Sequence, residues 1–213
     1  VPGACFLHQD HDLAGEKTGS NGRHPLPPRE ALAARLRAAG LEPGRQLVAY
    51  DGQGGMFAVR VWRPARWLGH EQVAVLDGGI DAWTRAGFPL STELPAARSG
   101  GFVAGAPRVA QVDAAAVLEN LQRRERLVVD ARAPERYRGE VEPLDPVAGH
   151  IPGAVNRPFQ QNLRPDGSFK PAEVLRQEFL ALLGDRPPQS LIHHCGSGVT
   201  ACHNLLAMEL AGL

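Results

Sequence analysis

Short runs of consecutive apolar residues alternate along the chain with longer stretches whose apolar positions fall three or four apart. Leu47-Val48-Ala49-Tyr50-Asp51, Val73-Ala74-Val75-Leu76-Asp77, Leu127-Val128-Val129-Asp130 and Ser190-Leu191-Ile192-His193-His194 have the length and composition of buried strands. Between them the spacing predicts helices. Arg29 to Ala39 follows Pro27-Pro28, places Leu32 and Leu36 on one face and stops at Gly40. Met56 to Leu68 reads as a helix that Pro64 bends or interrupts. Ile80 to Ala86 is a short helix closed by Gly87, and Asp113 caps one running through Ala114, Val117, Leu118 and Leu121. Pro171 to Leu183 ends at Gly184, and from Gly198 onward Ala201, Leu205 and Met208 share a helical face.

Apolar strands alternating with helices define an α/β fold with a mainly parallel sheet flanked by helices on both faces. The pattern dissolves into Ser, Gly, Ala and Pro between Ser91 and Pro107 and then restarts. Val1-Pro2-Gly3-Ala4 is echoed by Ile151-Pro152-Gly153-Ala154, and Leu47 to Asp51 by Leu191 to Cys195. We therefore expect a duplicated domain: residues 1–92, a linker at 93–107, and a second domain at 108–213.

Charge removes some partners. Twenty-three basic residues balance 23 acidic ones, and Arg123-Arg124-Glu125-Arg126 is too short and mixed for a nucleic-acid patch. No stretch approaches the roughly 18 apolar residues of a membrane span. The three cysteines, Cys5, Cys195 and Cys202, form no disulfide framework and point to a reducing compartment, the cytoplasm. No charged-then-apolar leader is visible after Val1.

The chemistry concentrates in His193-His194-Cys195-Gly196-Ser197-Gly198-Val199-Thr200-Ala201. A strand delivers a cysteine to a tight loop holding two glycines, and a helix begins where the loop ends. Backbone N–H groups in such a loop can converge, and the helix N-terminus adds partial positive charge. A thiolate or a persulfide at the centre is stabilised as an anion, and thiolate is the nucleophilic form. Three chemistries compete for the loop. A cysteine phosphatase needs an arginine six positions on, where this chain has Ala201. Zinc binding has His193, His194, Cys195, Cys202 and His203 to draw on, but neighbouring strand residues face opposite ways and no second Cys pair completes a tetrahedron. Sulfur transfer fits best.

Gly149-His150-Ile151-Pro152-Gly153-Ala154, Asp130-Ala131-Arg132, Arg136-Tyr137-Arg138-Gly139, Val75-Leu76-Asp77-Gly78-Gly79 and the Cys195 loop together resemble the tandem-domain rhodanese-like sulfurtransferases, over nearly the whole chain. The resemblance implies two rhodanese-like domains, with the active cysteine in the second and the first catalytically inert. No cysteine occupies Asp51 to Gly54, where the first domain's loop falls. The Cys-Gly-Ser-Gly-Val-Thr form is similar to the branch that uses 3-mercaptopyruvate, whereas the thiosulfate branch carries basic residues just after the cysteine.

By the same resemblance Cys195 carries the sulfur and Ser197 assists proton movement around it, while Gly196, Gly198, Val199 and Thr200 supply the loop amides. Arg136 takes the donor carboxylate with its planar fork, and Asp10 and His24 reach the cleft from the first domain. Arg132 ties the loop to the sheet, and Arg138 stands in for a second carboxylate-binding arginine whose place is held by Leu144. Relative to the family, an opening strand before Val1 and a final strand and helix after Leu213 are not in this sequence; a protein truly shortened in this way would have an exposed sheet edge in each domain.

The implied cycle is covalent and uses no metal or organic cofactor. Cys195 accepts sulfur from a small anionic donor and passes it to a thiol, thioredoxin or cyanide. Thiosulfate:cyanide transfer is the rival within the enzyme class. A non-catalytic rhodanese module that binds partners or senses redox state is the rival outside it.

Overall fold

A computed structural model describes residues 1–96 and 98–213, and the chain divides into two units, Val1–Ala110 and Gln111–Leu213. In the first, α1 (Arg29–Ala38) precedes β1 (Leu47–Ala49), α2 (Val59–Trp67), β2 (Val73–Val75) and α3 (Gly79–Arg85). The two strands pair in parallel with Leu47 opposite Val73. Leu32, Ala33 and Leu36 of α1 pack with Leu13, Leu41, Leu68 and Phe102 in one buried cluster. Phe102 comes from the segment expected to be a linker. Gly100 donates to the Arg37 carbonyl and Phe102 to that of Leu41, so this part of the segment is built into the first unit.

Pro64 does not interrupt α2, contrary to the expectation from its helix-breaking chemistry. The helix forgoes one N–H at Pro64 but keeps Val59, Trp62, Ala65 and Leu68 buried. Its first turn is tightened by bonds from Arg60 to the Phe57 carbonyl and from Val61 to that of Ala58. Burial of that apolar set outweighs the lost hydrogen bond.

The loop after β1 shows what the first unit places where its echo has a cysteine. The Asp51 carboxylate accepts from the amides of Gln53, Gly55, Phe57 and Ala58 at 2.7–2.9 Å. The loop therefore cradles an anion, and the chain's own carboxylate fills it. The Asp-Gly-Gly turn after β2 closes on the same loop. Ile80 donates to the Asp51 carbonyl at 2.9 Å, and a Cβ at Gly79 would stand 2.2 Å from that oxygen. Only glycine fits there.

The second unit runs α4 (Ala114–Arg123), β3 (Leu127–Asp130), α5 (Pro134–Arg138), β4 (Val155–Asn156), a 3₁₀ turn (Phe159–Asn162), α6 (Ala172–Leu183), a second 3₁₀ turn (Pro188–Ser190), β5 (Leu191–His194) and α7 (Thr200–Leu210). Asp113 caps α4 as expected, accepting from the Ala116 amide at 2.8 Å. The sheet is parallel with β3 in the middle, flanked by β4 and β5. A central position explains the unbroken apolar run of Val128 and Val129, both buried.

Helix α7 departs from the single apolar face expected for it. It packs against β5, α6 and the first 3₁₀ turn, and all of Ala201–Asn204 and Leu206–Met208 are buried. A helix enclosed on several sides needs polar partners for its polar residues. Asn162 supplies them, donating to Asn204 Oδ1 at 2.7 Å and lying 3.1 Å from His203 Nδ1. Asn204 in turn donates to the Arg157 carbonyl at 3.0 Å. This network holds the helix that follows the Cys195 loop.

Candidate active site

Strand β5 ends at His194, so Cys195 stands at the carboxyl end of a parallel strand, the edge where α/β sheets open their ligand crevices. Its side chain packs beside Ala131 and Ala201 and is 7% exposed. Gly198, with φ of 72°, turns its amide back and donates to Cys195 Sγ at 3.1 Å. Of the amides from Gly196 to Thr200 that the sequence placed around the sulfur, this one forms the hydrogen bond. The Gly198 carbonyl faces the other way and accepts from Cys202 Sγ at 3.1 Å.

Cys195 and Gly196 line a cleft of about 300 Å³ with Arg132, Asp145, His150 and His194. Arg132 is held in it by Asp130, which is fully buried at the end of β3. The guanidinium meets both Asp130 oxygens through Nε and Nη2 and also reaches Glu142 and the Gly149 carbonyl. Hydrogen bonding to Asp130 raises the already high pKa of Arg132. Burial pushes the pKa of His194 below the ordinary histidine value, so it is uncharged at neutral pH. His150 stacks on Tyr137 and bonds the Tyr137 carbonyl through Nδ1 at 2.7 Å. That bond requires the proton on Nδ1 in the neutral ring and leaves Nε2 as an acceptor.

Arg136 follows a different pattern from the open fork expected of it. Its Nε and Nη2 already bond Glu142, at 3.2 and 2.6 Å, and Nη2 also bonds Asp145 at 2.9 Å. Arg136, with the Leu144 and Asp145 amides assisting, holds the Glu142 carboxyl down to about 2. Neither Arg136 nor Arg138 is among the residues that line the cleft, and the exposed Arg138 side chain pairs with Glu140 at 2.7 and 2.8 Å. Ser197 and Val199 lie in the loop leading into α7, and Thr200 is that helix's first residue. Asp10 and His24 belong to the first unit and bond each other at 2.9 Å, Oδ1 to Nε2. Burial lowers the pKa of His24 despite that carboxylate.

The His and Cys residues that cluster in the sequence disperse in space. His203 stacks on Phe169, and His193 points its Nε2 at Met208 Sδ, 2.9 Å away. Among the described residues no group of three His, Cys, Asp or Glu side chains is placed to hold a metal ion, and no helix is long and apolar enough to cross a membrane.

His193 carries a pH prediction. Burial, with Arg157 assisting, pushes its pKa to about 4. Between pH 6.5 and 4 the unfolded chain binds a proton that the folded chain refuses, so stability falls as pH falls through that window. The loss reaches about 3 kcal/mol at pH 4 and is absent above pH 6.5. Denaturant unfolding at pH 7 and 4.5 checks this, because His193→Gln should remove its share of the difference and leave that of the other histidines whose pKa burial lowers, His194 and His24.

Sequence reasoning passed over Asp145, His150 and His194 as cleft residues, and Glu142 as the partner of both arginines. The signal for His194 was its place next to Cys195. Glu142 and Asp145 could be suspected only as carboxylates six and nine positions after an arginine.

The parallel sheets, the cysteine loop at a strand's carboxyl end and the repeated design agree with comparison to known proteins. The rhodanese-like domain model matches residues 1–86 and 113–213, and the chain belongs to that family, with two such domains. It is 47% identical over its full length to a probable 3-mercaptopyruvate sulfurtransferase of Pseudomonas aeruginosa, 75% of which it covers. It is 37% identical to thiosulfate sulfurtransferase of Bos taurus, over its full length and 72% of that protein. Among solved structures, SseA from Escherichia coli, described as a 3-mercaptopyruvate sulfotransferase of "Rhodanese" fold, superposes with a TM-score of 0.82. That match has 32% identity and covers the whole of this chain and 78% of SseA.

Proposed function

We propose that this protein is a sulfurtransferase that takes sulfur from 3-mercaptopyruvate onto Cys195 as a persulfide and passes it to a thiophilic acceptor. The observation that carries the reading is a cysteine at the end of β5, hydrogen-bonded by a loop amide and opening on a cleft with two histidines and an arginine. Its likeness to relatives named for 3-mercaptopyruvate supports that donor.

The Cys195 thiolate attacks the donor's sulfur, the C–S bond breaks, and its electron pair forms the enolate of pyruvate. The donor's thiol proton passes to that enolate, leaving Cys–S–S⁻. The outer sulfur is then attacked by a thiol, thioredoxin or cyanide, which breaks the S–S bond and restores the thiolate. Gly198 stabilises the sulfur anion, Gly196, Val199 and Thr200 complete the loop, and Ser197 relays the proton. Arg136 orients the carboxylate, while Arg132 shapes the cleft. The resemblance counts Asp10 and His24 as donor-binding, and their mutual bond supports treating them as one pair; Arg138 has no support beyond its charge.

In this reading residues 1–92 form a non-catalytic domain, 93–107 the connecting segment and 108–213 the catalytic domain. The filled cradle at Asp51, with a carboxylate where a nucleophile is needed, supports an inert first domain. Three free cysteines suit a cytoplasmic setting.

Treating the protein with 3-mercaptopyruvate should add the mass of one sulfur atom to Cys195 with one pyruvate released per sulfur loaded, and a thiol should then remove that sulfur. A stable oxidised cysteine without turnover would instead mark a non-catalytic module. Thiosulfate is the alternative donor: Leu144, where a second carboxylate-binding arginine is expected, weakens the case for 3-mercaptopyruvate, and relative rates on the two donors decide between them.

A further inference from the structure

The acidic segment behind the cleft places an anion where the proposed donor would place its own. Glu142 and Asp145 both bind Arg136, but they are held differently. The Glu142 side chain is 4% exposed, takes Nε and Nη2 of Arg136, reaches Nη1 of Arg132 at 3.2 Å, and accepts from the amides of Leu144 and Asp145. It is locked into the protein. The Asp145 side chain is 22% exposed, meets Arg136 Nη2 at 2.9 Å, and lines the cleft with Cys195.

Charge sharpens the contrast. Arg132 and Arg136 face Asp130, Glu142 and Asp145, two cations against three carboxylates. An anionic donor thus approaches a cluster already carrying an excess negative charge, and neighbouring Leu144 adds no cation to offset it.

We propose that Asp145 is a specificity-determining residue, a cleft-lining carboxylate that occupies Nη2 of Arg136 until a donor carboxylate displaces it. The inference rests on the proposed role of Arg136 in donor binding. Glu142 keeps the guanidinium oriented while the Asp145 contact is exchanged. Donor affinity is then set by a difference between two carboxylates competing for one arginine. A donor that binds the arginine through two oxygens gains over Asp145, while a weakly basic anion does not.

Steady-state kinetics on the full chain with 3-mercaptopyruvate tests this. Asp145→Asn keeps the shape and removes the charge, and should lower KM about 3- to 10-fold while kcat stays within about twofold. In an Arg136→Gln background, where KM is already raised, the same change should bring no further fall. An unchanged or higher KM in an Asp145→Asn protein of normal melting temperature, with Arg136→Gln still raising KM, overturns the inference and makes Asp145 a positioning residue. An Arg136→Gln variant with unaltered KM instead overturns the donor-binding role of Arg136. Should Asp145→Asn prove unstable, Asp145→Ser gives the same readout.

Discussion

Cys195→Ser is expected to reduce pyruvate release from 3-mercaptopyruvate by at least about a thousandfold. Serine matches cysteine closely in size, and the Gly198 amide that bonds the sulfur at 3.1 Å can bond a hydroxyl oxygen as well. The variant should therefore fold with an unchanged melting temperature. It loses the reaction because a hydroxyl stays protonated near neutral pH, and an oxygen bonded to sulfur cannot carry the outer atom as a persulfide does. Pyruvate release at the wild-type rate would refute Cys195 as the sulfur carrier. The same variant should acquire no sulfur in the mass spectrum after donor treatment.

Arg132→Ala is expected to destabilise the second domain by about 3–5 kcal/mol, the range found when one member of a buried ion pair is removed. Asp130 is fully buried, and Arg132 contacts both its oxygens while bridging to Glu142 and the Gly149 carbonyl. Without the guanidinium, two enclosed carboxylates face each other with less compensation. Denaturant unfolding measures the loss. Asp130→Asn combined with Arg132→Met should recover much of it, since the double change removes the stranded charge and keeps volume. Equal instability of single and double variants would mean that packing, not charge, is what Arg132 supplies.

The outcome at Pro64 and at α7 shows where local reading runs out. Pro64 has a local chemistry that argues against a helix interior, yet the apolar residues around it are buried and the helix continues. Leu205 and its neighbours in α7 look like one face of an amphipathic helix, but Asn204 and His203 are enclosed too, because Asn162 reaches them from more than forty residues away in sequence. The short helix Pro134–Arg138 and the strand Val155–Asn156 carry too few residues to show a period. By contrast Leu127–Asp130 and Asp113 were legible in full, the first as an apolar run and the second as a cap.

The chain's own residue order determines the alternation of strands and helices, the duplicated plan and a cysteine set between a strand and a glycine-bearing loop. These are local consequences of apolar spacing and backbone freedom, so neighbours in sequence suffice to read them. The tertiary structure alone decided that Asp51 fills the first unit's anion cradle, that Glu142 and Asp145 claim Arg136, and that His194, His150 and Cys195 share one cleft. Charges find partners by distance in space and by exclusion of water, and neither quantity is written in the separation of residues along a chain.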